Sequence, residues 1–110
     1  MNPARPKSLE QVAEFARRVA AHQGWQLNPD ESFRALLIQG LQTNHNRYGY
    51  FLCPCRDGSA VREQDRDIIC PCAYARQDIA EHGHCFCALY MSTAFIATGR
   101  EPRQIPERRP

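Results

Sequence analysis

A chain of 110 residues has room for one compact domain with a modest core, and its 43 % apolar and 24 % charged residues exclude wholesale disorder. A net charge of +2 is too small to call for a nucleic-acid partner; the basic residues (Arg17 and Arg18, then Arg100, Arg103, Arg108 and Arg109) are scattered and lack interleaved aromatics. Met1 to Arg18 form no continuous apolar run, and the nearly apolar stretch Ala88 to Gly99 is too short to span a bilayer, so neither a signal peptide nor a membrane is expected and the default setting is cytoplasmic and reducing.

In chain order, Ser8 with Gln11 three residues on reads as a capping box opening a first helix. Leu9, Val12, Ala13, Phe15, Ala16 and Val19 recur at helical spacing up to about Gln23, where Gly24 stops the run. Asn28 is the expected cap of a second helix, with Pro29 in its first position, Asp30 and Glu31 in its first turn, and Phe33, Leu36, Leu37 and Leu41 as its apolar stripe. Thr43 to Gly49 reads as its frayed end and a turn. Arg56 to Asp67 is polar and reads as a loop with one helical turn, and Ile68 and Ile69 form an apolar anchor. Pro71 to His82 predicts a third helix, closed by Gly83. Ala88 to Thr98 fits a helix or a buried strand equally, and Pro102, Pro106 and Pro110 keep the end extended. The whole of 1–110 is read as a single domain with 103–110 as an extended tail.

The chemistry lies in the cysteines. All six fall in three pairs, Cys53-Pro54-Cys55, Cys70-Pro71-Cys72 and Cys85-Phe86-Cys87, within 35 residues. In a reducing setting such a set points to metal or redox chemistry rather than to structural disulfides. A bridge within one pair is strained, and proline stiffens the first two, so bonds to metal or sulfur should run between motifs. A tetrahedral zinc or a cubane cluster takes four thiolates, and six minus four leaves one dithiol. The start of the third helix, bracketed by Cys70 and Cys72, should favour thiolate. Spacing alone leaves open a structural zinc site, and with it a non-enzymatic zinc-binding interaction module. A simple electron-transfer ferredoxin is a third class. The first two motifs look equivalent.

The triple motif in a chain of this length resembles the catalytic (β) chain of ferredoxin–thioredoxin reductase, and in particular its shorter members outside photosynthesis, to which the ending His84-Cys85-Phe86-Cys87 is similar. The resemblance implies an all-α, small flattened helical domain with cysteine-bearing loops around a 4Fe–4S cluster. Carried over motif by motif, it makes Cys53, Cys70, Cys72 and Cys85 the cluster ligands, and Cys55 and Cys87 the redox-active pair. It implies a ferredoxin-like electron donor, a thioredoxin- or glutaredoxin-like protein substrate and, in plant-type members, a variable-type subunit. Cys55 would attack the substrate disulfide while Cys87 stays at the cluster and later resolves the mixed disulfide.

Two departures stand out. Plant-type members carry histidine where this chain has Phe86, which makes His84 the candidate proton-transfer residue and leaves His82 as a helix-end residue. The spacer between motifs two and three is longer than in the plant pattern and the first spacer shorter, which bears on docking surfaces rather than ligands. Tyr48, Tyr50 and Phe51 are expected to shield the cluster, Trp25 to join the core, and Arg56 either to lower the Cys55 pKa or to sit in solvent.

Overall fold

A computed structural model describes residues 6–110. Helix α1 spans Leu9–Gln23, and its capping box forms as the sequence predicts. The Ser8 Oγ accepts the Gln11 N–H at 3.1 Å, and the Gln11 side chain accepts the Ser8 N–H at 2.9 Å. Val12, Ala16 and Ala20, four residues apart, make its buried stripe.

The short strand β1, Gln26–Leu27, leads into helix α2, Glu31–Tyr48, whose cap is Asp30 rather than Asn28. The Asp30 carboxylate accepts the Phe33 N–H at 3.1 Å. Asn28 is instead buried and spoken for. Its side-chain amide donates to the Ala88 carbonyl at 2.9 Å, and its backbone N–H donates to the Leu89 carbonyl at 2.8 Å. It thereby fastens the start of α2 to the loop carrying the last cysteine pair. Of the predicted stripe, Leu37 and Leu41 are buried with Ile38, whereas Leu36 and Phe33 face solvent. Residues 43–48 are not frayed: the Asn44 side chain donates to the Leu52 carbonyl at 2.8 Å, and His45 packs on Phe51 with ring centroids 4.6 Å apart, holding the last turns helical.

After a single 3₁₀ turn at Arg66–Ile68, helix α3 runs over Ala75–His82, four residues later than predicted. The Ala73 N–H is taken by the Asp67 carbonyl at 2.9 Å and the Ala75 N–H by the Cys72 carbonyl at 3.1 Å, so residues 71–74 turn toward the preceding loop instead of opening the helix. The ambiguous apolar segment is both of its alternatives in succession. Strand β2, Tyr90–Met91, pairs antiparallel with β1, Leu27 facing Tyr90. Helix α4, Thr93–Ala97, then starts on a Ser92 cap whose Oγ accepts the Phe95 N–H at 3.0 Å. The tail is extended but not loose: Ile105 is buried, Arg108 pairs with Asp78 and Glu81, and Arg109 pairs with Asp67.

The fold is thus mostly helical and flat, 46 × 32 × 22 Å, with α1 packed on α2. The core they share is continuous with the cysteines: Cys53, Cys70, Cys85 and Cys87 sit in one cluster with Val12, Leu37, Leu41, Ile79, Leu89 and Tyr90. Trp25 is half-buried against it, 5.5 Å from Tyr90 between ring centroids. A second small cluster, Tyr50, Leu52 and Ile68, backs the segment between the first two motifs.

Candidate functional site

Three irregular segments bring the motifs together, and each is held by the backbone rather than by sulfur. The Cys53 N–H donates to the Ile68 carbonyl at 3.0 Å and the Cys70 N–H to the Phe51 carbonyl at 2.7 Å, a reciprocal pair about the Leu52–Ile69 bridge that sets motif one beside motif two. α2 leaves room for this through Gly40, where a side-chain carbon would stand 2.7 Å from Pro54. The third motif is a tight hairpin turn. The Cys85 N–H donates to the Tyr90 carbonyl at 3.0 Å and the Ala88 N–H to the Cys85 carbonyl at 2.9 Å.

The six sulfurs are free and differ in exposure: Cys53, Cys70, Cys85 and Cys87 are buried, Cys72 is half-buried and Cys55 is exposed. Cys53, Cys70, Cys72, Cys85 and Cys87 line one small cavity with Pro71, Ala75, Phe86 and Tyr90; Cys55 lies outside it. Cys87 sits between the two environments. Its Sγ is 3.9 Å from that of Cys85, and the influence of the Cys53, Cys55 and Cys85 thiols together with burial raises its pKa well above the ordinary thiol value.

The electrostatics follow from this arrangement. Hydrogen bonding from Cys87 lowers the Cys55 pKa, with the Arg56 charge adding to it against burial. Cys85 is brought down to about 7 by the same thiol and by the backbone N–H groups of Tyr90, Leu89 and Ala88, of which the Tyr90 N–H lies 3.4 Å from the Cys85 sulfur. Burial pushes the Cys72 thiol up to about 11 and raises that of Cys70 further. The helix dipole expected to favour thiolate at these two is outweighed, since α3 begins only at Ala75 and desolvation dominates.

These facts test the fit of a metal–sulfur group through the chemistry of its donors. Buried thiols that resist ionisation become good ligands only where a bound cationic centre takes the proton's place, and thiolate is the ligand that iron–sulfur clusters use. The room between the sulfurs is about 10 Å³, and among the described residues no three His, Cys, Asp or Glu side chains converge as a single ion requires. The donor set fits by its chemistry and not through a preformed void.

Other predicted residues fall differently. His84 is buried, and both ring nitrogens face backbone: Nδ1–H donates to the Cys85 carbonyl at 2.8 Å, and Nε2 accepts the Arg103 N–H at 3.3 Å. Neither nitrogen hydrogen-bonds a sulfur. His82 closes α3 beside Glu81. Tyr48, Tyr50 and Phe51 do not line the cavity; Phe51 stacks on Phe15 at 4.1 Å, and Tyr50 donates to Asp65 at 2.6 Å. The residues at the sulfurs that sequence reasoning passed over are Tyr90, whose hydroxyl lies 3.4 Å from the Cys70 sulfur, and the aromatic Phe86 itself. Tyr90 stands within an apolar stretch and carries no local signal beyond its distance from Cys87. Arg56 is not solvated: it is buried and paired with Glu107 at 2.7 Å.

A family model described as "Ferredoxin thioredoxin reductase catalytic beta chain" matches residues 2–108. The chain belongs to this family. It is 32 % identical to the ferredoxin-thioredoxin reductase catalytic chain of Cyanidium caldarium over 91 residues, covering 78 % of this chain and 76 % of that one. It is 30 % identical to the catalytic chain of Pyropia yezoensis, covering 79 % and 73 %. To the chloroplastic catalytic chain of Arabidopsis thaliana it is 31 % identical, covering 78 % and 58 %. Membership of the ferredoxin–thioredoxin reductase family makes the chain an oxidoreductase, and the zinc-binding interaction module is set aside. Among the described residues no helix is long and apolar enough to cross a membrane.

Proposed function

We propose that residues 1–110 form one catalytic domain that reduces a disulfide of a thioredoxin- or glutaredoxin-like protein in the cytoplasm, with electrons from a ferredoxin-like donor, alone or with a variable-type subunit. The observation that carries this reading is the graded burial of the thiols: an exposed Cys55, and a buried Cys87 whose sulfur is 3.9 Å from that of Cys85 and which lines the cavity with Cys53. Cys53, Cys70, Cys72 and Cys85 are the residues that would hold a 4Fe–4S cluster. Bound there, such a cluster supplies electrons one at a time to a bond that needs two.

The steps performed by the chain's own residues are thiol–disulfide exchange. The Cys55–Cys87 disulfide takes two electrons, its S–S bond breaks, and Cys55 becomes available as thiolate on the open side of the site. The Cys55 sulfur attacks one sulfur of the substrate disulfide and expels the other as thiolate, which takes a proton. Cys87 then attacks Cys55, re-forms the Cys55–Cys87 bond and releases the reduced substrate. Exposure fits Cys55 for the intermolecular step, and burial restricts Cys87 to the intramolecular one. His84, with both nitrogens committed to backbone, is assigned the work of holding the turn rather than of moving a proton.

The test is metal, sulfide and thiol content of protein purified without oxygen, followed by reduction of thioredoxin with reduced ferredoxin. About four irons and four sulfides per chain, two cysteines recovered only after reduction, and a trapped substrate adduct at Cys55 in Cys87→Ser support the reading. One zinc with no sulfide overturns it.

A further inference from the structure

Arg56 lies against segments of all three cysteine motifs. It directly follows Cys55, its guanidinium carbon lies 4.4 Å from the ring centroid of Phe86, between Cys85 and Cys87, and 5.3 Å from that of Tyr74, two residues past Cys72. The side chain is only 3 % exposed. Its Nη1 donates to Glu107 at 2.7 Å, yet Nε and Nη2 are buried and have no hydrogen-bond partner among the described residues. A buried guanidinium with unused donors is costly and calls for a reason, a redox role being one.

What holds it there is the tail. Glu107 sits between Ile105, which is buried, and Arg108 and Arg109, which are tied to Asp78 with Glu81 and to Asp67. Asp67 in turn accepts from the Tyr74 hydroxyl at 2.6 Å, so the aromatic beside Arg56 is fixed by the same strap. The negative partner is 39 % exposed while the cation is enclosed on the sulfur side, so solvent screens Glu107 more than Arg56. The charge left over is positive and lies among the motif segments.

The geometry points to Arg56 as a positioning residue that stabilises the reduced form of the Cys55–Cys87 pair, with its field trimmed by Glu107 of the C-terminal strap. The inference rests on the assignment of that pair in the proposed function. On reduction the S–S bond accepts two electrons and breaks into two sulfurs that carry negative charge until protons arrive from solvent. A neighbouring cation favours the products. The two charged members of the ion pair therefore act with opposite sign, which mere support of the fold would not produce.

The experiment equilibrates the holoprotein with a dithiol redox buffer, which gives up two electrons as it closes to its cyclic disulfide. The fraction of Cys55–Cys87 disulfide is read by acid quench, alkylation and peptide mass. Arg56→Gln should make the pair about tenfold harder to reduce, about 30 mV for a two-electron couple. Arg56→Lys keeps the charge and should return the equilibrium to within about twofold of the parent. Glu107→Gln keeps the hydrogen bond and removes the opposing charge, so it should make reduction about two- to threefold easier. An unchanged Arg56→Gln equilibrium, or equal falls in Arg56→Gln and Arg56→Lys, overturns the inference. Should Arg56→Gln not fold, Glu107→Gln decides alone: a rise supports it, and no change or a fall overturns it. A parent protein with no Cys55–Cys87 disulfide at any potential overturns both this inference and the assignment beneath it.

Discussion

Removing the Tyr90 hydroxyl should lower the reduction potential of a cluster held by Cys70. The ring is 1 % exposed and its hydroxyl lies 3.4 Å from the Cys70 sulfur. The backbone of Tyr90 independently holds Cys85, through the N–H on the sulfur and the carbonyl on the Cys85 N–H. Tyr90→Phe therefore removes one donor to one sulfur and leaves the hairpin and the ring packing in place. A hydrogen bond to a charged acceptor contributes about 1.5–3 kcal/mol and a neutral one about 0.5–1.5 kcal/mol. One added electron on the cluster strengthens the acceptor only partly, and a differential of about 1 kcal/mol corresponds to about 40 mV for a one-electron couple. Burial and the nearby Cys70 push the Tyr90 pKa far above its ordinary value, so the O–H persists across the working range and the shift should be the same at about pH 6 and about pH 9. Anaerobic redox titration of both proteins, followed by absorbance, gives the answer. A potential that does not move, that rises, or that falls at only one end of the pH range refutes the reasoning.

Asp65→Ala should destabilise the fold by about 3–5 kcal/mol in urea unfolding, because the buried carboxylate accepts from the Tyr50 hydroxyl, the Ser59 N–H and hydroxyl and the Ala60 N–H. Burial works against its charge, but these bonds together hold the Asp65 pKa below the ordinary value; its stabilisation is therefore fully present above the unfolded carboxyl value and lost as pH falls through the folded one. A parent and a variant with the same acid profile between about pH 5 and pH 2 would refute this. Gly40→Ala ought to favour an exposed helix by up to about 1 kcal/mol, yet the new carbon would stand 2.7 Å from Pro54, so a lower melting temperature, worth about 1–3 kcal/mol, is expected; a higher one refutes the close approach. His84→Gln should lower the melting temperature through the two lost backbone bonds while leaving the pH dependence of turnover in place, and a displaced pH profile would return the residue to the chemistry.

The parts legible in the sequence are those whose signals are local. The Ser8–Gln11 box, the stripe of Val12 and Ala16 and the stop at Gly24 need no tertiary information, and they stand where the pattern puts them. The errors arise where a long-range partner competes for a local role. Asn28 is an ordinary cap in sequence, but the carbonyls of Ala88 and Leu89, sixty residues on, claim its donors, and Asp30 takes the cap. Pro71 is an ordinary first helical residue, but Asp67 and Cys72 engage the next backbone donors and delay α3 to Ala75. His84 has cysteines as sequence neighbours, and nothing local in the sequence signals that the tail backbone at Arg103, nineteen positions away, bonds its second nitrogen. Tail contacts carry no periodicity, so Glu107 on Arg56 was invisible as well.

The same reasoning explains why the first two motifs, alike as Cys-Pro-Cys, are unlike in the fold. Both enter from an apolar residue of one bridge, Leu52 against Ile69, so Cys53 and Cys70 are equally drawn into the core. What differs is the exit. After Cys72 the chain turns into α3, whose Ala75 and Ile79 pack on the core, and the second sulfur stays at the cavity wall. After Cys55 the next side chain is a guanidinium that can be buried only by reaching Glu107 and the faces of Phe86 and Tyr74. Pro54 and Cys55 form a turn closed by the Arg56 N–H on the Cys53 carbonyl at 3.2 Å, and the turn leaves Cys55 at an exposed corner while Arg56 runs inward. The exposure of Cys55, on which its proposed role as attacking thiol depends, goes with this turn and with the anchoring of Arg56 behind it, so the division of labour between equivalent motifs is set by the segment that follows each.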